Sequence, residues 1–475
     1  PQLLHNRWGE PKTDAAVYFP EEGGHLLGDQ ARNALLADCS RGAPGWKWHM
    51  GTEKKLCEDA QGNSYVAKDL LAFHLKEMKE VAEQKTGEAV EEVVICIPAD
   101  YTEPQRRDTL DAAGQAGLDV ITLVPEPTAA ALGNDVHKRG VCTALVYDWG
   151  GWTFDVSIIA PKGNLFKVQA TDGKPDLGGR DVDTILIEEV LDRFERQYGF
   201  RPSREDHPVF YQDLVSRIEQ AKIALSVREK ASLNVSCDGK VISEQFSRDE
   251  FESLVEPKVQ ETMDLTKEVI EDAGMGWDDI DVVIPVGGSS SIPLVREELD
   301  RISGGKVSKQ CEPLYAAAYG AVVAGRIEKE RKDEEYVVGD KRLPSTGMSL
   351  EDVVGNPIGV LVLDGNDELV ADQILSRNTT VPSDQTELYA PAVANQENVL
   401  IQVVQAPDGT PKDQCTLLGK FRLQGIPPNP DRTERFQITF EFDANGMLRA
   451  SARDRESGKT AELEIDYRNG DGDTA

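Results

Sequence analysis

The sequence predicts a multidomain protein in which an α/β domain precedes an all-β sandwich, and three observations carry that prediction. Residues 1–326 alternate apolar strand-like runs with segments of helical periodicity, the pattern of strands and helices packed in layers. Residues 353–466 alternate short apolar runs, such as Val399-Leu400-Ile401-Gln402-Val403-Val404, with turn clusters, the pattern of a sandwich. At 475 residues the chain exceeds what one ordinary core organises, so two or three domains are expected. Residues 327–352 read as a linker: a charge run crosses residues 326–335, and Gly, Pro, Ser and Thr mark residues 338–350. Residues 467–475 read as a polar tail.

Within the first domain, apolar residues at helical spacing predict a helix over residues 66–85, with Leu71, His74, Leu75, Met78 and Val81 near one face. His74 in that setting is an interior or rim histidine rather than a ligand. Ala144-Leu145-Val146, a glycine turn and Val156-Ser157-Ile158-Ile159 then predict a hairpin. In its turn, Gly150 and Gly151 let backbone N–H groups approach an anion, because no Cβ stands in the way. Asp148, Thr153 and Asp155 add carboxylates and a hydroxyl suited to a hydrated metal. By itself the hairpin is either a phosphate-and-magnesium device or an ordinary glycine turn. Two further turns change the balance. Gly178-Gly179 lies between Asp176 and the acids Asp181 and Asp183. Gly287-Gly288-Ser289 follows the apolar run Val282-Val283-Ile284-Pro285-Val286 and precedes a helical stretch from Leu294, which places backbone donors at a helix's positive end. Helices are expected over residues 211–226 and 250–273. Three such turns point to two related halves closing on one nucleotide.

Charge narrows the function classes. Lys and Arg number 52 against 84 Asp and Glu, a net charge of -32. That field opposes binding to nucleic acid or anionic membranes. Seven cysteines are scattered, odd in number and never Cys-x-x-Cys, which predicts free thiols in a reducing compartment rather than a disulfide framework or zinc site. The six histidines show no ligand spacing either. No apolar run reaches spanning length and no signal peptide is visible, so a cytoplasmic location is expected. Pro1 stands where a methionine would begin a complete chain, the expected mark of processing or of a fragment.

The run Val93-Val94-Ile95-Cys96-Ile97-Pro98-Ala99-Asp100-Tyr101 with Gln105-Arg106-Arg107 resembles a signature of the seventy-kilodalton heat-shock chaperones. So do Pro125-Glu126-Pro127-Thr128-Ala129-Ala130-Ala131-Leu132, the glycine hairpin, residues 286–293 and Tyr319-Gly320-Ala321. Downstream, Arg377-Asn378-Thr379-Thr380-Val381-Pro382, Leu418-Gly419-Lys420-Phe421 and Phe442-Asp443-Ala444-Asn445-Gly446 resemble the family's peptide-binding domain. The resemblance implies an actin-like (ribonuclease H-like) ATPase domain and a β-sandwich for short, extended apolar segments of unfolded proteins. It implies ATP or ADP with Mg2+ as cofactors, and a J-domain co-chaperone and a nucleotide-exchange factor as partners. Set against that family, the sequence lacks the first phosphate hairpin, which would precede Pro1, and the helical lid that would follow the sandwich, through truncation or evolution. ATP hydrolysis is accordingly expected of an intact parent, and weak or absent turnover of this chain.

Carried over residue by residue, the resemblance makes Lys47 the cation near the attacking water, Glu126 and Asp148 the acids holding Mg2+ through water, and Asp155 a further catalytic carboxylate. Gly150, Gly151, Thr153, Gly178, Gly179, Gly287, Gly288 and Ser289 match nucleotide-binding turns, and Glu219, Lys222 and Ser226 match adenosine contacts. One helical turn apart, these last three equally make a salt-bridged helix face. Pro98 and Arg106 match an interdomain relay. Tyr389, Ala392, Val399 and Ile401 match the peptide pocket and arch, on strands whose alternate residues serve equally as sandwich core. The departures are specific. Trp152 replaces the third glycine of the first turn, Ile223 and Ser291 replace two adenine-clamping arginines, and Leu314-Tyr315 replaces an acidic pair. The linker, Leu350-Glu351-Asp352-Val353-Val354-Gly355, is polar and interrupted, which predicts weak interdomain coupling. An ATP-regulated chaperone and a nucleotide-independent peptide-binding module are both compatible with these residues. A sugar or acetate kinase of the same superfold shares the Gly-Gly turns but not the sandwich.

Overall fold

The computed structural model describes residues 2–99, 101–139, 142–162, 165–174, 176–309, 312–332, 337–338, 341–342, 346, 349–351, 354, 356–377, 379, 383–442 and 447–466. Asp100, Cys311, Asn378, Thr380 to Pro382, Asp443 to Gly446, part of the expected linker and the polar tail lie outside the described residues. Helices of the first part are α1 (Gly28–Ala37), α2 (Ala67–Thr86), α3 (Glu103–Gln115), α4 (Glu126–Gly133), α5 (Gly179–Tyr198), α6 (Pro208–Val227), α7 (Arg248–Asp272), α8 (Pro293–Ser303) and α9 (Ala316–Arg331). The helices expected over residues 66–85, 211–226 and 250–273 are thus α2, α6 and α7. On α2 the buried side carries Leu70, His74, Leu75 and Val81, while Met78 faces solvent. His74 is interior as expected, its ring nitrogens 2.9 Å from the Leu70 carbonyl and 3.0 Å from the Asp14 carbonyl.

The sheet that carries the glycine hairpin has five strands in the order Val282–Val286, Ala144–Trp149, Phe154–Lys162, Leu165–Lys174 and Ser349–Glu351. Its second strand, Ala144–Trp149, is buried on both faces, which is why it reads as a nearly unbroken apolar run. Alternation sorts its residues. Leu145, Tyr147 and Trp149 enter the core shared with α5, α6 and α7, whereas Ala144 and Val146 enter the core shared with α4 and α9. Asp148 therefore leaves the sheet on the α4 side, toward Glu126 at that helix's start. α4 and α9 cross closely because a Cβ at Gly320 would overlap the Ala129 carbonyl, so only glycine fits there.

The last strand of this sheet belongs to the expected linker. Ser349, Leu350 and Glu351 pair in parallel with Leu165, Phe166 and Lys167, and Arg377 donates to Asp172 at 2.6 Å. Of the polar, interrupted sequence Leu350 to Gly355, the structure describes Leu350, Glu351 and Val354, and the first two pair in this ladder. Strand pairing uses main-chain groups that every non-proline residue supplies. α9 also continues past residue 326, to Arg331.

Beyond the linker, two four-stranded antiparallel sheets pack face to face. One has the order Leu369–Leu375, Ile358–Leu363, Asn398–Gln405 and Thr416–Gln424. The other has the order Ser383–Tyr389, Phe436–Phe442, Met447–Asp454 and Thr460–Asp466. Val360, Ile401, Val403, Leu423, Ile438 and Phe440 fill the space between them. Arg435 and Asp454, 3% and 0% exposed, form a buried two-pronged ion pair at 2.6 and 2.8 Å. The six described cysteines are free thiols. Among the described residues no helix is long and apolar enough to cross a membrane.

Candidate nucleotide site

A cavity of about 130 Å³ opens beside the glycine hairpin, lined among others by Lys47, Trp48, Tyr101, Glu126, Asp148 and Trp152. Lys47 comes from a single 3-10 turn, Trp46–His49, held by the buried Trp46 and entered through Gly45 at φ 65°. Its Nζ lies 3.3 Å from Glu126 Oε1. Burial alone would depress the Lys47 ammonium, but Glu126, Tyr101 and Asp148 outweigh it and raise its pKa. Burial and then Glu126 push the Asp148 carboxyl up to about 8, with Lys47 opposing. The site thus holds a fixed cation, one carboxylate against it and one carboxyl kept mostly protonated near neutral pH. A hydrated divalent cation would ionise Asp148 and be held by Glu126 and Asp148, which fits magnesium's preference for oxygen ligands and retained water.

The other sequence-predicted residues fall into two groups. Pro98, Gly150, Gly151 and Thr153 line the same cavity. Gly287, at φ 79°, packs against the Trp149 backbone and the Asp148 carboxyl. Asp155 sits opposite Asp148 across the hairpin and is buried against Gly173, behind the cavity rather than in it. Arg106 lies half-buried in α3.

The remaining glycine and adenosine residues are engaged with one another. Gly179 N–H donates to the Gly150 carbonyl at 3.0 Å, and Arg180 N–H to the Gly151 carbonyl at 2.9 Å. The amides at the start of α5, the expected phosphate donors, are therefore spent on the hairpin. Ser289 Oγ donates to the Gly150 carbonyl at 2.9 Å. A 3-10 turn, Ser289–Ser291, follows Gly287-Gly288 and leads into α8, which begins at Pro293, one residue before the helical stretch expected from Leu294. Lys222 pairs with Asp183 at 2.8 Å and donates to the Gly179 carbonyl at 2.8 Å. Glu219 pairs with Arg32 of α1, which also holds Asp14 at 2.5 Å. Ser226 Oγ bonds back to the Lys222 carbonyl at 3.2 Å. Glu219 and Lys222 thus pair with side chains of other helices, Arg32 of α1 and Asp183 of α5, rather than with each other along α6. Ile223 is 55% exposed and Leu314 52% exposed, so neither forms a clamp.

Trp152 explains the closure. Its indole lies so close over Gly45 that a Cβ there would overlap the ring, and a Cβ at Gly178 would overlap its backbone. The Arg180 guanidinium stacks 3.5 Å from the ring centre, and Trp48 meets the ring edge-on with centroids 5.3 Å apart. Phosphate-sized anions and a hydrated metal fit the Lys47 end of the cavity. A whole nucleotide does not fit this arrangement, because drug-sized ligands occupy roughly 300–1,000 Å³. Trp48, Arg180 and Arg32 were not singled out from the sequence, and Tyr101 and Asp183 stood in quoted runs without a role of their own. A side chain that fills a site leaves no periodic signal.

In the peptide region, Ile401 is 3% exposed and belongs to the sandwich core. Val399, two residues earlier on the same face, is half-buried at the edge of that core. Tyr389 also packs at the edge and donates to Asp372 at 2.6 Å. Ala392 is exposed, and its N–H is held by Gln396 at 2.9 Å.

Comparison with known proteins gives matching results. The family model described as "Hsp70 protein" matches residues 51–475. "Chaperone protein DnaK" from two strains of Halobacterium salinarum, ATCC 29341 and ATCC 700922, is 33% identical over 472 residues. The alignment covers 98% of this chain and 72% of each relative.

Proposed function

The chain belongs to the Hsp70 family, and on that premise we propose that it is a nucleotide-regulated chaperone whose control is damped by Trp152. Its substrates are short, extended apolar segments of unfolded polypeptides, bound at the edge of the sandwich near Tyr389, Ala392 and Val399. Ile401 supports the floor from the core. Bound ATP would supply the transferable phosphoryl group, and Mg2+ the neutralising charge. Lys47 places a positive charge where negative charge builds up in the transition state. Glu126 and Asp148 orient hydrated metal. Gly150, Gly151 and Thr153 form the turn beside the phosphates. J-domain and exchange-factor partners belong to the same reading.

The observation that carries the regulated reading is the continuity of one sheet. The hairpin strand Phe154–Lys162 pairs with Leu165–Lys174, and that strand pairs with the linker residues Ser349–Glu351. A change at the glycine turn therefore reaches the linker through a single ladder. The experiment is release of a labelled apolar peptide with and without Mg-ATP, beside calorimetry of ATP. Faster release with ATP is expected. Peptide binding that ATP never alters, despite measurable ATP binding, favours the nucleotide-independent module instead.

A further inference from the structure

Far from the nucleotide cavity, His207, Cys237 and Asp238 bring one ligand atom each to within 4.8 Å of one another, the one such trio among the described residues. We infer that they form a binding site for a borderline-soft divalent cation of the zinc class, completed by water. Thirty residues of sequence separate the imidazole from the thiol, so no spacing motif shows it; the hairpin closes the gap. Asp238 and Gly239 turn the strand Lys230–Cys237 into Lys240–Ser247 with φ of 50° and 75°, a two-residue primed turn. That turn sets Asp238 against His207, the residue preceding α6, with Oδ2 3.3 Å from Nε2.

The geometry and donor set agree on the ion. Tetrahedral zinc with bonds of about 2.0–2.2 Å holds neighbouring N and O ligands roughly 3.3–3.5 Å apart. A side-chain adjustment of about 1 Å brings the sulfur in. One nitrogen, one sulfur and one oxygen suit zinc-like ions and not magnesium or calcium. The imidazole is incompletely satisfied as it stands: Nε2 meets the carboxylate, while Nδ1 is buried without a partner. Cys237 is 4% exposed, and binding would release its thiol proton to solvent as the metal–sulfur bond forms. The ammonium of Lys240, on the following strand, lies 4.1 Å from the Phe200 ring centre. The bound ion would clip the hairpin to the start of α6.

The test titrates Zn2+ alone, then Co2+, into the 475-residue chain and into Cys237→Ser, His207→Gln and Asp238→Asn. Asparagine tolerates the left-handed turn, so the last variant reports even where loss of the buried thiol impairs folding. The expected result is one tight equivalent, a thiolate-to-cobalt charge-transfer band, and at least tenfold weaker binding in each folded variant. Loss of even an outer-shell partner costs roughly ten- to a hundredfold. Unchanged zinc affinity in Asp238→Asn, or a cobalt complex without the thiolate band, means adventitious binding only and overturns the site.

Discussion

Replacing Trp152 with glycine should tighten nucleotide binding, and the contacts of the indole set the size of the effect. A guanidinium stacked on an indole contributes about 0.5–2 kcal/mol, and an edge-on aromatic pair about 0.5–1.5 kcal/mol. Arg180 and Trp48 make these two contacts, and on the proposed reading nucleotide entry breaks both. The self-filled state is therefore favoured by roughly 1–3.5 kcal/mol, and a central value near 2 kcal/mol corresponds to about thirtyfold in affinity. Calorimetry of Mg-ATP and Mg-ADP on the wild type and on Trp152→Gly measures this directly. Trp152→Ala separates loss of the ring from added backbone freedom. Wild-type affinity should be weaker than micromolar, about −8 kcal/mol. Unchanged or weaker binding in both variants would refute the argument and make Trp152 a ligand contact rather than an obstruction.

In the intact parent, Lys47→Met should abolish phosphate release while leaving nucleotide affinity, because its charge acts on the transition state; normal turnover in the variant would reassign it. Burial and the neighbouring Glu126 push the Asp148 carboxyl up to about 8 in the folded protein, so the unfolded chain loses that proton first. Stability should then fall as pH rises from about 4 to 8, and Asp148→Asn should gain on wild type in thermal melts at pH 8 relative to pH 5. Asp454 shows the opposite sign: its pair with Arg435 depresses the carboxyl, giving stability that is present above the unfolded value and lost as pH falls through the folded one. Asp454→Asn should cost about 3–5 kcal/mol in urea unfolding of the sandwich, since it strands a buried guanidinium. Val399→Phe should weaken binding of a leucine-rich peptide by about tenfold, roughly 1.4 kcal/mol, with the fold intact by circular dichroism. The same change at Ile401 should unfold the sandwich. Equal peptide affinities for Val399→Phe and wild type would make Val399 core.

What the sequence disclosed depended on whether a signal was periodic or local. The hairpin around Gly150 and Gly151 was legible because strand alternation and a glycine pair coincide, and α2, α6 and α7 because each carries an apolar stripe. Met78 was misplaced because the stripe on α2 centres on Leu70, His74 and Val81, which turns Met78 outward. The docking of Ser349–Glu351 was not legible; main-chain pairing leaves little trace in side chains. The Arg32–Glu219 bridge joins residues far apart in sequence, and equally spaced charges on α6 gave no hint of it. Trp152 was conspicuous as a departure, but only the overlap at Gly45 reveals which side of the turn the indole occupies.

The most direct test of nucleotide control is stopped-flow release of a fluorescent, leucine-rich peptide from wild type and Trp152→Gly, each mixed with Mg-ATP or buffer. The account predicts saturable peptide binding by both proteins. It also predicts a modest acceleration by ATP in the wild type and a larger one in Trp152→Gly, at ATP concentrations lower in proportion to the tightened affinity. Release rates indifferent to ATP in both proteins, or no saturable peptide binding at all, would contradict it.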